Sequence, residues 1–270
     1  MTSLKDATLW ITGASSGIGE ALALDAARRG ARLVLSARRI DELERVRAAC
    51  PDPGKVAVLP LDLMAFDAAD AAARAERCFG PIDVLVNNAG KSQRSLLVDT
   101  SMEVYRQLME LDYFAPVALT RALVPSMRAR KAGHVVMISS IAGRIGAPLR
   151  TGYSAAKHAL AGFTEAARAE LWRDGLRFTT VFPGYVQTGI SANALSGDGS
   201  LFGDGSLFGV TDRNIAGGIA AADCAASIWR AVEAGDEEVF MGGKEVAYER
   251  LKRYLPGLFS FALKRSNVNR

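Results

Sequence analysis

The sequence predicts a doubly wound α/β fold of the Rossmann type, one domain built on a parallel sheet with helices on both faces. Two patterns and one turn lead there. Short Val/Leu/Ile-rich runs alternate with longer helical patterns from residue 7 to residue 241. The apolar runs are continuous rather than alternating, as strands must be when helices cover both of their faces. A glycine-rich turn, TGASSGIG at 12–19, joins the first strand to the first helix, where such sheets take a nucleotide.

In order, a strand at 7–11 leads through the glycine turn into a helix that ends at Arg29, and a second strand covers 32–36. Helix 41–49, strand 56–59, helix 67–79 and strand 82–86 follow, then two helical stretches across about 102–130. Strand 134–139, helix 153–173, strand 177–182, a last helix near 221–234 and a short strand at 238–241 complete the pattern. Strict β–α alternation makes the sheet parallel. No shift in composition marks a second domain, so 1–270 reads as a single unit with a C-terminal helical extension at about 245–265.

With 49% hydrophobic and 23% charged residues, the chain has ample core material and no signature of disorder. The net charge of +4 comes from scattered basic residues, so no nucleic-acid partner is expected. Cys50, Cys78 and Cys224 lie far apart and form no CxxC pair, and His134 and His158 are the only histidines. That usage suits a reducing compartment and predicts no metal site. No apolar run reaches 18 residues, and the first strand starts too early to leave room for a signal peptide; a cytoplasmic location is expected.

In the glycine turn, Gly13 permits the bend, Gly17 lets backbone approach a pyrophosphate, and Gly19 allows close helix–sheet contact. Ser15, Ser16 and Ile18 fill the positions between them, and the helix N-terminus offers N–H groups to the phosphates. The second strand ends Leu35-Ser36-Ala37-Arg38-Arg39, with the nearest acid, Asp41, already entering a helix. A carboxylate there would hold a ribose 2′-OH; Arg38 and Arg39 instead suit a 2′-phosphate. NADP is therefore expected ahead of NAD.

Tyr153 and Lys157 in YSAAK stand four residues apart, on one helix face. A phenol ordinarily ionises near pH 10, and a neighbouring ammonium favours the phenolate. Ser140 ends a strand thirteen residues upstream.

With these elements the chain resembles the short-chain dehydrogenase/reductase family over essentially its whole length. The matching pieces are TGASSGIG, Asp62 after the third strand, NNAG at 87–90, Ser140 in ISSIAG, YSAAK at 153–157 and PGYVQT at 183–188. Within the family it is similar to the lipid- and steroid-directed branch called dehydrogenase/reductase member 7-like, through YFAPVALTRALVPSM, YSAAKHAL and PGYVQTGISANALSGDGS. The resemblance implies Tyr153 as acid/base, Lys157 on the nicotinamide ribose and Ser140 as hydrogen-bond donor to the reacting oxygen. It also implies Asp62 with Leu63 at the adenine, and Asn88, Ala89 and Gly90 along the ribose. Pro183, Gly184, Val186 and Thr188 fall toward the nicotinamide.

The chain departs from the family at Asp112, where an Asn usually anchors a water of the proton relay. Either backbone carbonyl at a helix kink holds that water and Asp112 is a near-isostere, or an anion beside Lys157 alters the pH dependence. Pro148, Leu149, Tyr185 and Ile190 match the family's substrate wall. The helices near 102–130 and 153–173 match its oligomer faces, which implies a homodimer or homotetramer.

The hexapeptide DGSLFG occurs twice in succession at 198–209. The motif before it makes the region, about 188–215, the family's substrate-loop lid. Its two Leu-Phe pairs either close over a hydrophobic substrate or record a neutral duplication. The apolar and basic C-terminal stretch covers a partner subunit or the substrate entrance, with peripheral membrane contact as the other reading.

The expected activity is NADP(H)-dependent interconversion of a ketone or aldehyde and an alcohol on a steroid-, lipid- or retinoid-like molecule. A 3-oxoacyl-carrier reductase is the alternative within the enzyme class. A catalytically silent NADP-sensing scaffold is the alternative outside it.

Overall fold

A computed structural model describes residues 2–201 and 215–265. Seven strands form one parallel sheet: β1 (Thr8–Thr12), β2 (Arg32–Ser36), β3 (Val56–Val58), β4 (Val84–Asn87), β5 (Gly133–Ile138), β6 (Leu176–Pro183) and β7 (Glu238–Met241). Their spatial order is β3-β2-β1-β4-β5-β6-β7. Consecutive strands step outward from β1 in one direction to β3 and then, from β4, in the other. The crevice of such a sheet opens at that reversal, beyond the carboxyl ends of β1 and β4.

Strand residues alternate between two cores. Leu9, Ile11, Leu33, Leu35, Val84 and Val86 pack in one layer, while Trp10, Val34 and Leu85 pack in the other. Both faces are thus buried, which accounts for continuous apolar runs. The Trp10 indole N–H still finds a partner, donating to Ser36 Oγ at 2.9 Å.

The helices are α1 (Gly17–Arg28), α2 (Ile40–Ala48), α3 (Ala68–Phe79), α4 (Met102–Met109), α5 (Ala115–Arg130), α6 (Thr151–Leu171), α7 (Ala221–Ala234), α8 (Lys244–Tyr254) and α9 (Pro256–Lys264). Boundaries move by a few residues from those read in the sequence, for local reasons. Asp67 is the cap of α3 rather than its first residue, its side chain accepting from the Asp70 N–H at 2.8 Å. Ile82 precedes β4 but is fully buried.

The two stretches across 102–130 are one bent element. Between α4 and α5 the chain makes a π turn at Glu110–Phe114, closed by the Ala115 N–H donating to the Glu110 carbonyl. Pro116 is the cause. It has no N–H for the carbonyl four residues back, at Asp112, and its ring crowds that carbonyl.

Lys244–Tyr254 and Pro256–Lys264 make up the C-terminal extension, anchored by Phe259 against Ile141, Ile145, Ala161 and Phe182. No helix among the described residues is long and apolar enough to cross a membrane. Residues 202–214, which hold the second DGSLFG copy and the end of the first, lie outside the described residues, and so does most of the lid reading. The described stem of that loop is held by bridges from Val186 to Ile219 and from Leu195 to Gln93 and Leu201.

Candidate active site

A cleft of about 660 Å³ opens at the carboxyl ends of the central strands. Its floor at one end is the glycine turn. Gly13 adopts a left-handed φ of +65°, and a side chain there would meet the Ala89 Cα at 2.8 Å. Gly19 does not line the cleft; it faces the turn, where a Cβ would lie 2.5 Å from Asn88 Nδ2. Asn88 earns this closeness by donating to the carbonyls of Thr12 and Gly13, at 3.0 and 3.2 Å. The Ser16 side chain makes no cap bond to α1, so the helix presents its N-terminal N–H groups to an incoming acceptor. Ser15, Ser16, Gly17 and Ile18 all line this end.

Arg38 and Arg39 leave β2 exposed, and both line the cleft. Arg39 Nη2 approaches Ser15 Oγ at 3.4 Å. Asp62 and Leu63 lie nearby, the Asp62 carboxylate accepting from the Met64 N–H at 3.0 Å. Lys91 adds a cation that the sequence reading missed; burial first, and then the Arg38 guanidinium, hold its ammonium below the usual range. This end therefore combines a glycine cradle, open helix N–H groups and two to three cations. That set fits the phosphates of a dinucleotide.

At the other end, Ser140, Tyr153 and Lys157 line the cleft together. Ser140 closes β5, and its Oγ accepts from the Ala142 N–H at 3.1 Å and donates to the Pro183 carbonyl at 3.4 Å. Tyr153 and Lys157 come from the first two turns of α6. Lys157 is 4% exposed, its Nζ donates to the Ile138 carbonyl at 3.1 Å, and it lies 5.8 Å from the centre of the Tyr153 ring. Asn88, Ala89, Gly90, Pro183, Gly184, Val186 and Thr188 complete the walls between the two ends.

Asp112 sits behind this wall, wholly buried. Oδ1 accepts from the Lys91 N–H at 2.9 Å, whereas Oδ2 lies 3.9 Å from Lys157 Nζ and has no hydrogen-bond partner. The two observations on this pair pull in opposite directions. The charges are close enough to attract, yet burial outweighs the attraction and raises the Asp112 carboxyl above the usual carboxylate range.

Of the expected substrate wall, Tyr185 and Ile190 line the cleft and Pro148 and Leu149 do not. Leu149 holds a left-handed φ of +64°. Arg94 and Arg150 take places on the lining instead. Arg94 is buried, donating to Ser92 Oγ, the Gln93 carbonyl and Ser191 Oγ at 3.1, 2.9 and 2.9 Å. For Arg94 a signal exists in KSQRS, a polar run directly after NNAG. Among the described residues no cluster of His, Cys, Asp or Glu could hold a metal ion.

The family model for short chain dehydrogenases matches residues 7–198. Human dehydrogenase/reductase SDR family member 7 is 48% identical over 202 residues, 72% of this chain and 60% of that protein. The chain thus matches less than two thirds of that relative's length, while agreeing with the branch read from the sequence. Among solved structures, a short chain dehydrogenase/reductase from Burkholderia phymatum in complex with NAD superposes with a TM-score of 0.85 at 24% identity, over 96% of both chains. A short chain dehydrogenase from Burkholderia cenocepacia J2315 in complex with NADP gives 0.78 at 26%, over 97% of this chain and 99% of that one. The motifs, the sheet order and these matches agree: the chain belongs to the short-chain dehydrogenase family, an oxidoreductase family.

Proposed function

We propose that the protein reduces a ketone or aldehyde, or oxidises the corresponding alcohol, on a hydrophobic small molecule with NADP(H) as cofactor. The observation that carries this reading is the shared cleft, with Ser140, Tyr153 and Lys157 at one end and Arg38 and Arg39 at the other. When bound, the nicotinamide supplies hydride for reduction and takes it back for oxidation.

The residues of the chain provide the proton and the geometry. Tyr153 gives its phenolic proton to the substrate oxygen in reduction and removes the alcohol proton in oxidation. Ser140 donates to that oxygen, holding it against Tyr153. The Lys157 ammonium stabilises negative charge on Tyr153 once the proton has left, and binds the ribose hydroxyls. Arg38 and Arg39 receive the 2′-phosphate, and Asp62 and Leu63 meet the adenine. Asp112, 3.9 Å from Lys157 at the π turn, either stands in for the Asn that anchors the relay water or, as an anion, alters the pH dependence of turnover. Ile190 and Leu201, both exposed on the cleft, favour an apolar substrate. A cytoplasmic homodimer or homotetramer belongs to the same reading; the exposed Phe114 beside α5 supports an interface there.

The test is a carbonyl and alcohol panel of steroids, lipids, retinoids and aldehydes, run with NADPH/NADP and NADH/NAD in parallel. Turnover of apolar carbonyls with NADPH is expected. Turnover confined to carrier-linked thioesters would replace this reading with a 3-oxoacyl reductase. Binding of NADPH with no turnover across the panel would point to a nucleotide sensor.

A further inference from the structure

The first turn of α6 carries Tyr153, yet its own N-terminus supplies no cap. Arg150, the preceding residue, makes no side-chain cap bond, and a helix start leaves its first N–H groups without intrahelical partners. The acceptor comes from 59 residues away. Gln93 Oε1 takes the Gly152 N–H at 2.7 Å and the Tyr153 N–H at 3.3 Å. Backbone N–H groups only donate, so the oxygen of the amide must face α6. Its Nε2 then donates the other way, to Ser95 Oγ at 3.0 Å and Thr100 Oγ1 at 2.9 Å. All the polar atoms of this amide are engaged, and Gln93 is 0% exposed.

The same residue is joined to the substrate loop through its backbone. Gln93 pairs with Leu195 in a parallel bridge. The Arg94 N–H donates to the Leu195 carbonyl and the Leu195 N–H to the Ser92 carbonyl, both at 2.9 Å. Arg94 Nη2 adds its bond to Ser191 Oγ, and the Ser101 N–H donates to the Gly197 carbonyl at 2.9 Å. On the other side, the Ser95 N–H donates to the carbonyl of Leu149, the residue held at a left-handed φ just before α6 begins. Segment 92–101 is thus clamped between the loop stem at 191–197 and the start of the helix that bears Tyr153.

We infer that Gln93 is a positioning residue that fixes the backbone of Tyr153 and couples it to the segment 191–197 on which it is bridged. Gln93 does not line the cleft, although Ser92 and Arg94 on either side of it do; it therefore acts through Tyr153 rather than on substrate. A neutral amide suits the role better than a carboxylate. A carboxylate could cap the helix, but it would bury a negative charge against the backbone of Tyr153, the residue that must ionise. A change in the placement of Leu195 or Ser191 would therefore reach the Tyr153 backbone through one buried side chain.

The inference rests on the acid/base reading of Tyr153, but the first test does not need turnover. In full-length Gln93→Met, which keeps the side-chain length and removes its hydrogen bonds, amide hydrogen exchange is followed residue by residue. Exchange at Gly152, Tyr153 and Leu195 is expected to accelerate at least tenfold together, with the β4 and β5 amides unchanged. Acceleration at α6 alone, or at neither place, would overturn the coupling.

The second test uses the best substrate of the panel. Gln93→Met is expected to lose at least tenfold in kcat while NADPH affinity stays within twofold. Gln93→Glu keeps the acceptor, so it is expected to retain protection at Gly152 and to move the alkaline limb of the pH–rate profile upward. If Gln93→Met does not fold, Gln93→Asn, one methylene shorter, carries the exchange readout and Gln93→Glu the pH readout. A kcat within twofold of native, or an unmoved pH profile in Gln93→Glu, would overturn the positioning role. A native protein without turnover would instead remove the acid/base reading and leave the exchange result to decide the coupling.

Discussion

Replacing Arg38 and Arg39 separates the cofactor assignment from the fold. A 2′-phosphate carries about −1.5 to −2 charges near pH 7. Charge-assisted hydrogen bonds are worth about 1.5–3 kcal/mol when water is excluded. Both arginines are exposed at the mouth of the cleft, so each bond is discounted to about 1 kcal/mol. Arg38→Ala alone should then cost NADPH several-fold in kcat/KM, and the double Arg38→Ala/Arg39→Ala roughly 30-fold, at 1.4 kcal/mol per tenfold. NADH should change by less than twofold with Arg38→Ala, because its 2′-OH offers no phosphate to pair. Arg39 also touches Ser15 Oγ in the glycine turn, so a modest loss for both cofactors is expected from the double variant. The assay is steady-state kcat/KM for each cofactor at 0.15 M salt, repeated at 1 M. The screening length falls there from about 8 to 3 Å, so the native preference for NADPH should shrink. Equal losses for NADPH and NADH in Arg38→Ala, or a native preference indifferent to salt, would refute the reasoning.

Two titrating groups give further expectations. Asp112 has its carboxyl raised in the fold, so the unfolded chain ionises first as pH rises. The stability it contributes is complete below the ordinary carboxylate range and is lost as pH climbs through its folded value. Asp112→Asn should therefore melt higher than native at pH 7–8 and converge with it toward pH 4. A native protein more stable than Asp112→Asn at pH 8 would count against that sign, and an unchanged pH dependence of turnover would leave Asp112 a mere isostere. His134 is held neutral between Thr2 Oγ1 and Thr179 Oγ1, and burial first, with Arg177 and the N-terminus after it, lowers its pKa to about 4. From an ordinary 6.5, that shift withdraws about 3 kcal/mol of stability as pH falls from about 6.5 to about 4. Denaturant midpoints across that range should slope steeply in the native chain and much less in His134→Gln; parallel slopes would argue against it.

What could be read from the sequence was local. Strand and helix order followed from apolar periodicity, the glycine turn from its spacing, and the Tyr153–Lys157 pair from four-residue helical spacing. The branch within the family followed from contiguous stretches. The features not read depend on contacts across the fold. Gln93 caps a helix 59 residues away, and no window of sequence contains both partners. The π turn had a signal in Pro116, but its effect depends on the helix continuing on both sides. Leu149 stands off the cleft in a left-handed conformation that no apolar pattern encodes, while Arg94 takes up a buried place on the wall that the run KSQRS marks as polar but not as buried.

The central claim, a Tyr153 proton donor served by Lys157 and Ser140, is tested most directly by Tyr153→Phe on the best carbonyl substrate of the panel. Positioned general acids contribute about 10²–10⁴-fold, so kcat should fall at least 100-fold while NADPH affinity, read by fluorescence quenching, stays within threefold. Retention of kcat within tenfold of native would contradict the account.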